Sequence, residues 1–150
     1  MNLRRQAGTT TVEFAIVGML ALTLLFAVME FGRILFTLNV LDESARRAAR
    51  VAAVCAVGDG AITAAATFVT LPNLSTSNVM TQYLDENGVA LGNPAVDDYP
   101  SIRYVRVRIV NYGFPIAIPF TAAIFDAPEI SATLPRESLG VPKFGDPPAC

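Results

Sequence analysis

Histidine and tryptophan are absent from this 150-residue sequence, and cysteine occurs only twice, at Cys55 and Cys150. Structural zinc sites draw four ligands mostly from Cys and His, and no such set can be assembled here. Without an imidazole there is no Ser-His-Asp or Cys-His nucleophile. Charge is scarce as well, at 16% of residues against roughly 25% in an ordinary soluble domain. The formal net charge of −2 is too mild to imply an electrostatic partner. No Gly-x-x-x-x-Gly-Lys-Ser/Thr loop exists, and Gly58-Asp59-Gly60 lacks the lysine and preceding strand of a phosphate cradle. The inventory argues against an enzyme and against a resident metal or cofactor.

What the sequence has in excess is apolar residues, 53% of the chain, concentrated near the N-terminus. Phe14 to Met29 is sixteen residues without a charge, and the uncharged Thr10 to Val12 lie just before it. A bilayer core takes about 20 helical residues, which Thr10–Met29 supplies. Glu30 and Arg33 then fall at the far interface, at the i,i+3 spacing that lets them pair. Arg4 and Arg5 precede the run, so the positive-inside rule puts the N-terminus in the cytoplasm and everything after Arg33 outside it. A cleaved secretory signal would need a small-residue site after the run, and "VMEFGRIL" offers none. A buried core helix would leave the flanking arginines unexplained. A plain anchor leaves Glu13 unexplained, since a carboxylate inside an apolar segment is costly and calls for a partner.

The stretch "GTTTVEF", Gly8 to Phe14, resembles the processing site of type IV prepilins and pseudopilins. In that family a membrane peptidase cuts after the glycine, and glutamate is the fifth residue of the mature chain. A cut between Gly8 and Thr9 makes Glu13 that residue. The longer run from Val12 to Val54, with "EFGR" after the apolar segment, Asn39 six residues on and an Ala/Arg-rich helix, is similar to the TadE-like pseudopilins of the tight-adherence (Flp) pilus system. "ISATLPRESLG" near the C-terminus resembles the end of the same domain. The resemblance implies removal of residues 1–8 as a leader, and a salt bridge from Glu13 to the new α-amine of a neighbouring subunit. The implied partners are the prepilin peptidase, other pseudopilins and the assembly platform. Thr9 stands where the larger pilins carry an aromatic. Pairing would offset the cost of burying each charge and set the register of one helix on the next.

Beyond the membrane the helix continues. Leu41, Ala45, Ala48, Ala52 and Cys55 form a stripe on one face, while Asp42 and Glu43 sit four before Arg46 and Arg47, the favourable order for helix pairs. A helix from Thr10 to Val57 would run about 72 Å, with Gly58 as its C-cap. Asp59 is placed to cap a second helix in "GAITAAATFVTL", ended by Pro72. "PNLSTSN" reads as a loop. Tyr83–Leu91 predicts a hairpin with Asn87-Gly88 as a type I′ turn. The clearest strand is "SIRYVRVRIVNYGF", with Val105, Val107 and Ile109 on one face and Tyr104, Arg106, Arg108 and Tyr112 on the other. Tyrosines interleaved with arginines can clamp single-stranded nucleic acid, but on an exported acidic chain a solvated or subunit-facing surface is favoured. "FPIAIPFTAAIF" is too short and too broken by prolines to span a bilayer; it packs on the long helix, touches a neighbour or meets the membrane surface. Asp97-Asp98 reads as a solvated pair. "EISATL" is the expected last strand, followed by a proline-rich irregular tail.

The reading that results is an α+β chain: residues 1–8 a leader, 9–57 a long helix with its membrane part at about 10–33, and 58–150 an exported pilin-like domain with a small antiparallel sheet. In an oxidising compartment Cys55 and Cys150 would be bridged; the alternative is one core thiol and one at a frayed end. The implied role is a minor pseudopilin that initiates or supports pilus assembly, held in a bacterial inner membrane. The alternatives are an unprocessed single-pass protein whose exported domain binds something, and a tethered enzyme built on carboxylates, for which no constellation stands out.

Overall fold

The computed structural model of the chain describes residues 7–68, 71–94, 98–116, 124–141 and Cys150. Arg4, Arg5, Asp97, the middle of the "FPIAIPFTAAIF" stretch and the tail from 142 to 149 lie outside the described residues. One helix, α1 (Ala7–Val54), dominates. At 48 residues it is about 72 Å long. Its N-terminal half is bare among the described residues: Phe14, Met19, Leu20, Leu24 and Met29 are all exposed, and none of its most apolar eighteen-residue window is buried. Its C-terminal half carries the head.

The head is a three-stranded antiparallel sheet with a short helix and a separate hairpin. The sheet order is β1 (Val79–Leu84), β2 (Tyr104–Ile109), β5 (Ile130–Pro135), so β2 is central. Register puts Val79, Ile109 and Ile130 in one row, Thr81, Val107 and Ala132 in the next, and Tyr83, Val105 and Leu134 in the third. Because side chains alternate along a strand, these three rows share one face. That face packs on the small stripe of α1. Leu41, Ala45, Ala48, Ala49 and Ala52 are fully buried, as are Val105 and Val107. Alanine brings the sheet close to the helix axis; a larger residue at Ala48 would overpack the contact, at about 1–3 kcal/mol.

The short helix α2 (Gly60–Ala66) lies against α1 through Ile62 and Ala66. Its N-cap is Asp59, whose carboxylate accepts the Ala61 N–H at 2.8 Å. It ends well before Pro72. Just beyond it, the Arg47 guanidinium sits 3.9 Å above the Phe68 ring. A two-stranded hairpin, β3 (Gly113–Pro115) and β4 (Ile124–Asp126), runs beside α1 on the side of the sheet toward the helix's apolar half. Phe114 and Tyr112 meet edge to face at 5.3 Å and join Leu41, Ala45, Leu71 and Ile109 in a second buried cluster.

Three local expectations are corrected. The chain after β1 does not turn in type I′ form, because Gly88 alone has positive φ and Asn87 does not. The Asp85 carbonyl accepts the Gly88 N–H at 3.1 Å and Val89 pairs back to Asp85, a type I turn with a glycine bulge. Asp85 favours it by accepting the Asn87 and Val89 N–H groups with its side chain. Tyr112 does not continue the outer face of β2; the strand stops at Ile109, Asn111 takes φ 53, and Tyr112 swings into the core at 2% exposure. Finally, α1 ends at Val54, not Val57.

That end is closed by a distant segment. The Ala53 carbonyl accepts the Glu137 N–H at 3.0 Å, and the Val54 carbonyl accepts the Gly140 N–H at 2.6 Å and the Ser138 hydroxyl at 3.0 Å. The carbonyls a helix leaves open at its C-terminus are thus met by the residues after β5. Tyr99 helps hold that segment by donating its hydroxyl to the Leu139 carbonyl at 3.2 Å. Gly140 has φ +75, and a Cβ there would come within 2.9 Å of the Ala56 backbone nitrogen. Gly140→Ala is therefore expected to destabilise the head by about 1–3 kcal/mol, whereas Gly92→Ala, with open space around it, should stay within about 0.5 kcal/mol. Denaturant unfolding of the two variants in detergent checks this.

Burial of Tyr83 raises its phenol above the ordinary tyrosine range, a shift the Gly58 N–H donated to its hydroxyl only partly offsets. A raised folded pKa leaves the stability contribution intact below the unfolded value of about 10 and removes it as pH climbs through the folded value. Stability should accordingly be flat with respect to this group at neutral pH and fall in alkali. Tyr83→Phe should lessen that fall, as read from unfolding midpoints against pH.

Candidate functional site

The residues that carry chemistry fall into two polar groups on α1, separated by the apolar run. The first is at the N-terminus. Gly8, Thr9 and Glu13 all lie in the helix and are exposed, with Thr9 and Glu13 one turn apart on the same side. A Cβ on Gly8 would meet no atom within 4 Å, and its φ is not in the left-handed region. Neither packing nor backbone geometry among the described residues asks for glycine there. The flanking Val12 and Phe14 are exposed apolar residues, and among the described residues Glu13 has no hydrogen bond or ion pair. Its carboxylate projects from an apolar rod with its acceptor capacity unused by them.

The second group marks the other end of the run. The Arg33 Nε donates to Glu30 Oε2 at 3.1 Å, and its Nη2 donates to Glu30 Oε1 and to the Pro115 carbonyl. Sequence spacing anticipates the pair but not the third contact, which ties the helix at this level to β3. The single turn between Glu30 and Arg33 thus neutralises charge where the apolar run ends and also anchors the head. Just above it the Thr37 hydroxyl returns to the Arg33 carbonyl at 2.9 Å and is buried.

The outer face of β2 is less available than its sequence suggests. Arg108 is held in a two-pronged ion pair by Glu129, with Nε to Oε1 at 2.6 Å, and that hydrogen bond keeps the Glu129 carboxyl below the usual range. Arg106 donates to the Thr133 hydroxyl at 3.1 Å. On the stalk Arg46 pairs with Asp42, and Arg47 with Glu43 at 2.8 Å. Among the described residues Arg33, Arg46, Arg47 and Arg108 each have a carboxylate partner within the chain. Among the described residues no three His, Cys, Asp or Glu side chains come together as a metal site would need.

The structure joins Cys55 to Cys150 by a disulfide, with Cα atoms 5.9 Å apart across a sequence separation of 95. The bond lies at the same end of α1 that the Glu137–Gly140 segment closes. Sequence reasoning missed that segment because its backbone contacts are non-local; the Leu-Gly at 139–140 is the only sign, a glycine able to turn after an apolar anchor.

Fold and site together define a class: a helix long and apolar enough to cross a membrane once, carrying a small α+β head, which suggests a single-pass membrane protein. The family model described as TadE-like protein matches residues 8–50, consistent with a TadE-like protein of the tight-adherence system. The match covers Gly8, Thr9, Glu13, Glu30 and Arg33 and stops before the head. No curated protein and no solved structure matches the chain.

Both cysteines should be oxidised in protein recovered from an oxidising compartment, and Cys150→Ser should lower stability by about 2–5 kcal/mol. Thiol titration under denaturing, non-reducing conditions reads the first, and unfolding the second. Two reactive thiols per chain would contradict the bond.

Proposed function

We propose that this chain is a minor pseudopilin of a tight-adherence pilus apparatus, cut by a prepilin peptidase between Gly8 and Thr9 and then taking part in the initiation or support of pilus assembly. The observation that carries the reading is the N-terminal pair: a glycine that neither packing nor backbone geometry requires, and five residues on a carboxylate with no partner among the described residues. A peptidase that requires glycine accounts for the first. The α-amine of a processed neighbour accounts for the second, since an opposite charge is what makes a carboxylate tolerable in lipid. The family match over the same residues supports the assignment. The chain acts as a substrate and a subunit and not as an enzyme, works without a cofactor, and meets other pseudopilins and the assembly platform, with no role for nucleic acid. Its N-terminus is cytoplasmic and its head lies outside the inner membrane, which also suits the disulfide.

The test is the intact mass and N-terminal sequence of the protein coexpressed with a tight-adherence prepilin peptidase. A new terminus at Thr9 is the expected result; a chain still beginning at Met1, with the peptidase active on another substrate, would favour an unprocessed single-pass protein. Gly8→Leu should block the cut. Glu13→Gln should leave membrane insertion intact and abolish incorporation into the assembly, as read by fractionation.

A further inference from the structure

The β3–β4 hairpin has a direction and a height. Near the sheet, Phe114 and Tyr112 pack with Leu41 and Ala45, while Pro115 meets Arg33. Between Leu41 and Arg33 the helix descends eight residues, about 12 Å. The hairpin therefore points down α1 toward the apolar run, and its far end lies where the first charges after sixteen uncharged residues occur. The side chains at that end are apolar and uncovered: Ile124 is 68% and Phe125 62% exposed. The sequence joining the strands, Ile116 to Ala123, contains no charge. On the helix at the same height Phe31 and Phe36 are exposed too.

We propose that the β3–β4 hairpin is a second membrane contact, with Ile124 and Phe125 seated in the interfacial layer of the leaflet from which α1 emerges. The inference rests on the single-pass reading of α1. Lipid is favoured as the occupant because exposed Ile124 and Phe125 lie at the level of the exposed apolar Phe31 and Phe36 of the helix, and because Arg33 fixes β3 at the height where that surface meets charge. The depth is bounded from both sides. Backbone groups on the unpaired edges of a two-stranded hairpin cannot be left unsatisfied in the hydrocarbon, and Asp126 follows Phe125 directly. Both limits hold the tip to the outer 5–10 Å or so where amphipathic elements lie. Two attachments, helix and hairpin, would fix the tilt of the head over the bilayer, where a helix alone would leave it free to lean.

The absence of tryptophan makes the test clean, since Phe125→Trp introduces the sole indole. Each variant of the full chain is reconstituted in vesicles of phosphatidylethanolamine and phosphatidylglycerol. Quenching is compared between lipids brominated near the headgroup and acrylamide in the water. Leu20→Trp, in the apolar run, and Val89→Trp, in the turn at the opposite end of the sheet, set the two limits. F125W should be quenched by the shallow bromines several-fold more than V89W and be several-fold less open to acrylamide. An F125W response equal to that of V89W would overturn the proposal. So would shielding from both quenchers, which would mean that another protein copy covers the tip. If L20W is not quenched by brominated lipid, the single-pass reading fails and the hairpin proposal with it; L20W quenched and F125W not would sink the hairpin alone.

Discussion

Everything in this molecule is arranged around one uninterrupted helix that must satisfy two solvents. Hydrogen bonds within α1 satisfy its backbone between its two ends, which is what lets one element pass from lipid to protein. Its side chains then answer separate demands. From Phe14 to Met29 they are uncharged and mostly apolar, with large ones exposed on every side; from Leu41 to Ala52 one face is made mainly of alanine so that a sheet can lie close. The change of surface happens over the turn that holds Glu30 and Arg33, and the described part of the head reaches lowest there, at the Pro115 carbonyl. A break in α1 along the stalk would leave only the Arg33–Pro115 contact joining the head to the apolar half of the helix among the described residues.

The upper end of the helix is as constrained as the lower. A helix that stops inside a protein leaves carbonyls that need donors, and here the donors come from residues more than eighty positions later. The Glu137–Gly140 segment, the Tyr99 hydroxyl and the Cys55–Cys150 bond converge on the same end of α1. Fastening Cys150 to the end of the helix draws the segment after β5 onto the head, so that β5 is held on one side by its pairing with β2 and at its exit by the capping of Ala53 and Val54.

How much of this the sequence declared depends on the range of the interaction. The stalk stripe, the Asp42–Arg46 and Glu43–Arg47 pairs, the Asp59 cap and the buried face of β2 are all local patterns with a fixed period, and each is present as read. The failures are positions where one backbone dihedral redirects the chain. Asn111 in the left-handed region turns Tyr112 from the outer face into the core, and an ordinary φ at Asn87 converts the expected hairpin turn into a bulged one. Neither is visible in a hydrophobic pattern. The Arg33–Pro115 contact and the capping of Ala53 and Val54 were hidden for another reason: each is made to a backbone carbonyl from a residue distant in sequence, and a main-chain group carries no residue identity to read.

The two polar groups on α1 are best understood against each other. Twenty residues separate Glu13 from Arg33, about 30 Å of helix, which is the thickness of a bilayer's hydrocarbon. If the Arg33 turn lies at one boundary, Glu13 would fall at the other, where a carboxylate can still reach the headgroups. The proposed assembly step then acquires an energetic direction. On that reading Glu13 would be tolerated in the resting bilayer by water near the headgroups; drawn along the helix axis into a bundle, it would lose that water and need the cation of a neighbour. A neighbour processed as proposed would offer one on Thr9, four residues from its own Glu13, so each subunit would carry both halves of the pair at a fixed spacing. One stagger between adjacent helices would then satisfy the pair, and the cost of missing it would grow as the environment becomes drier.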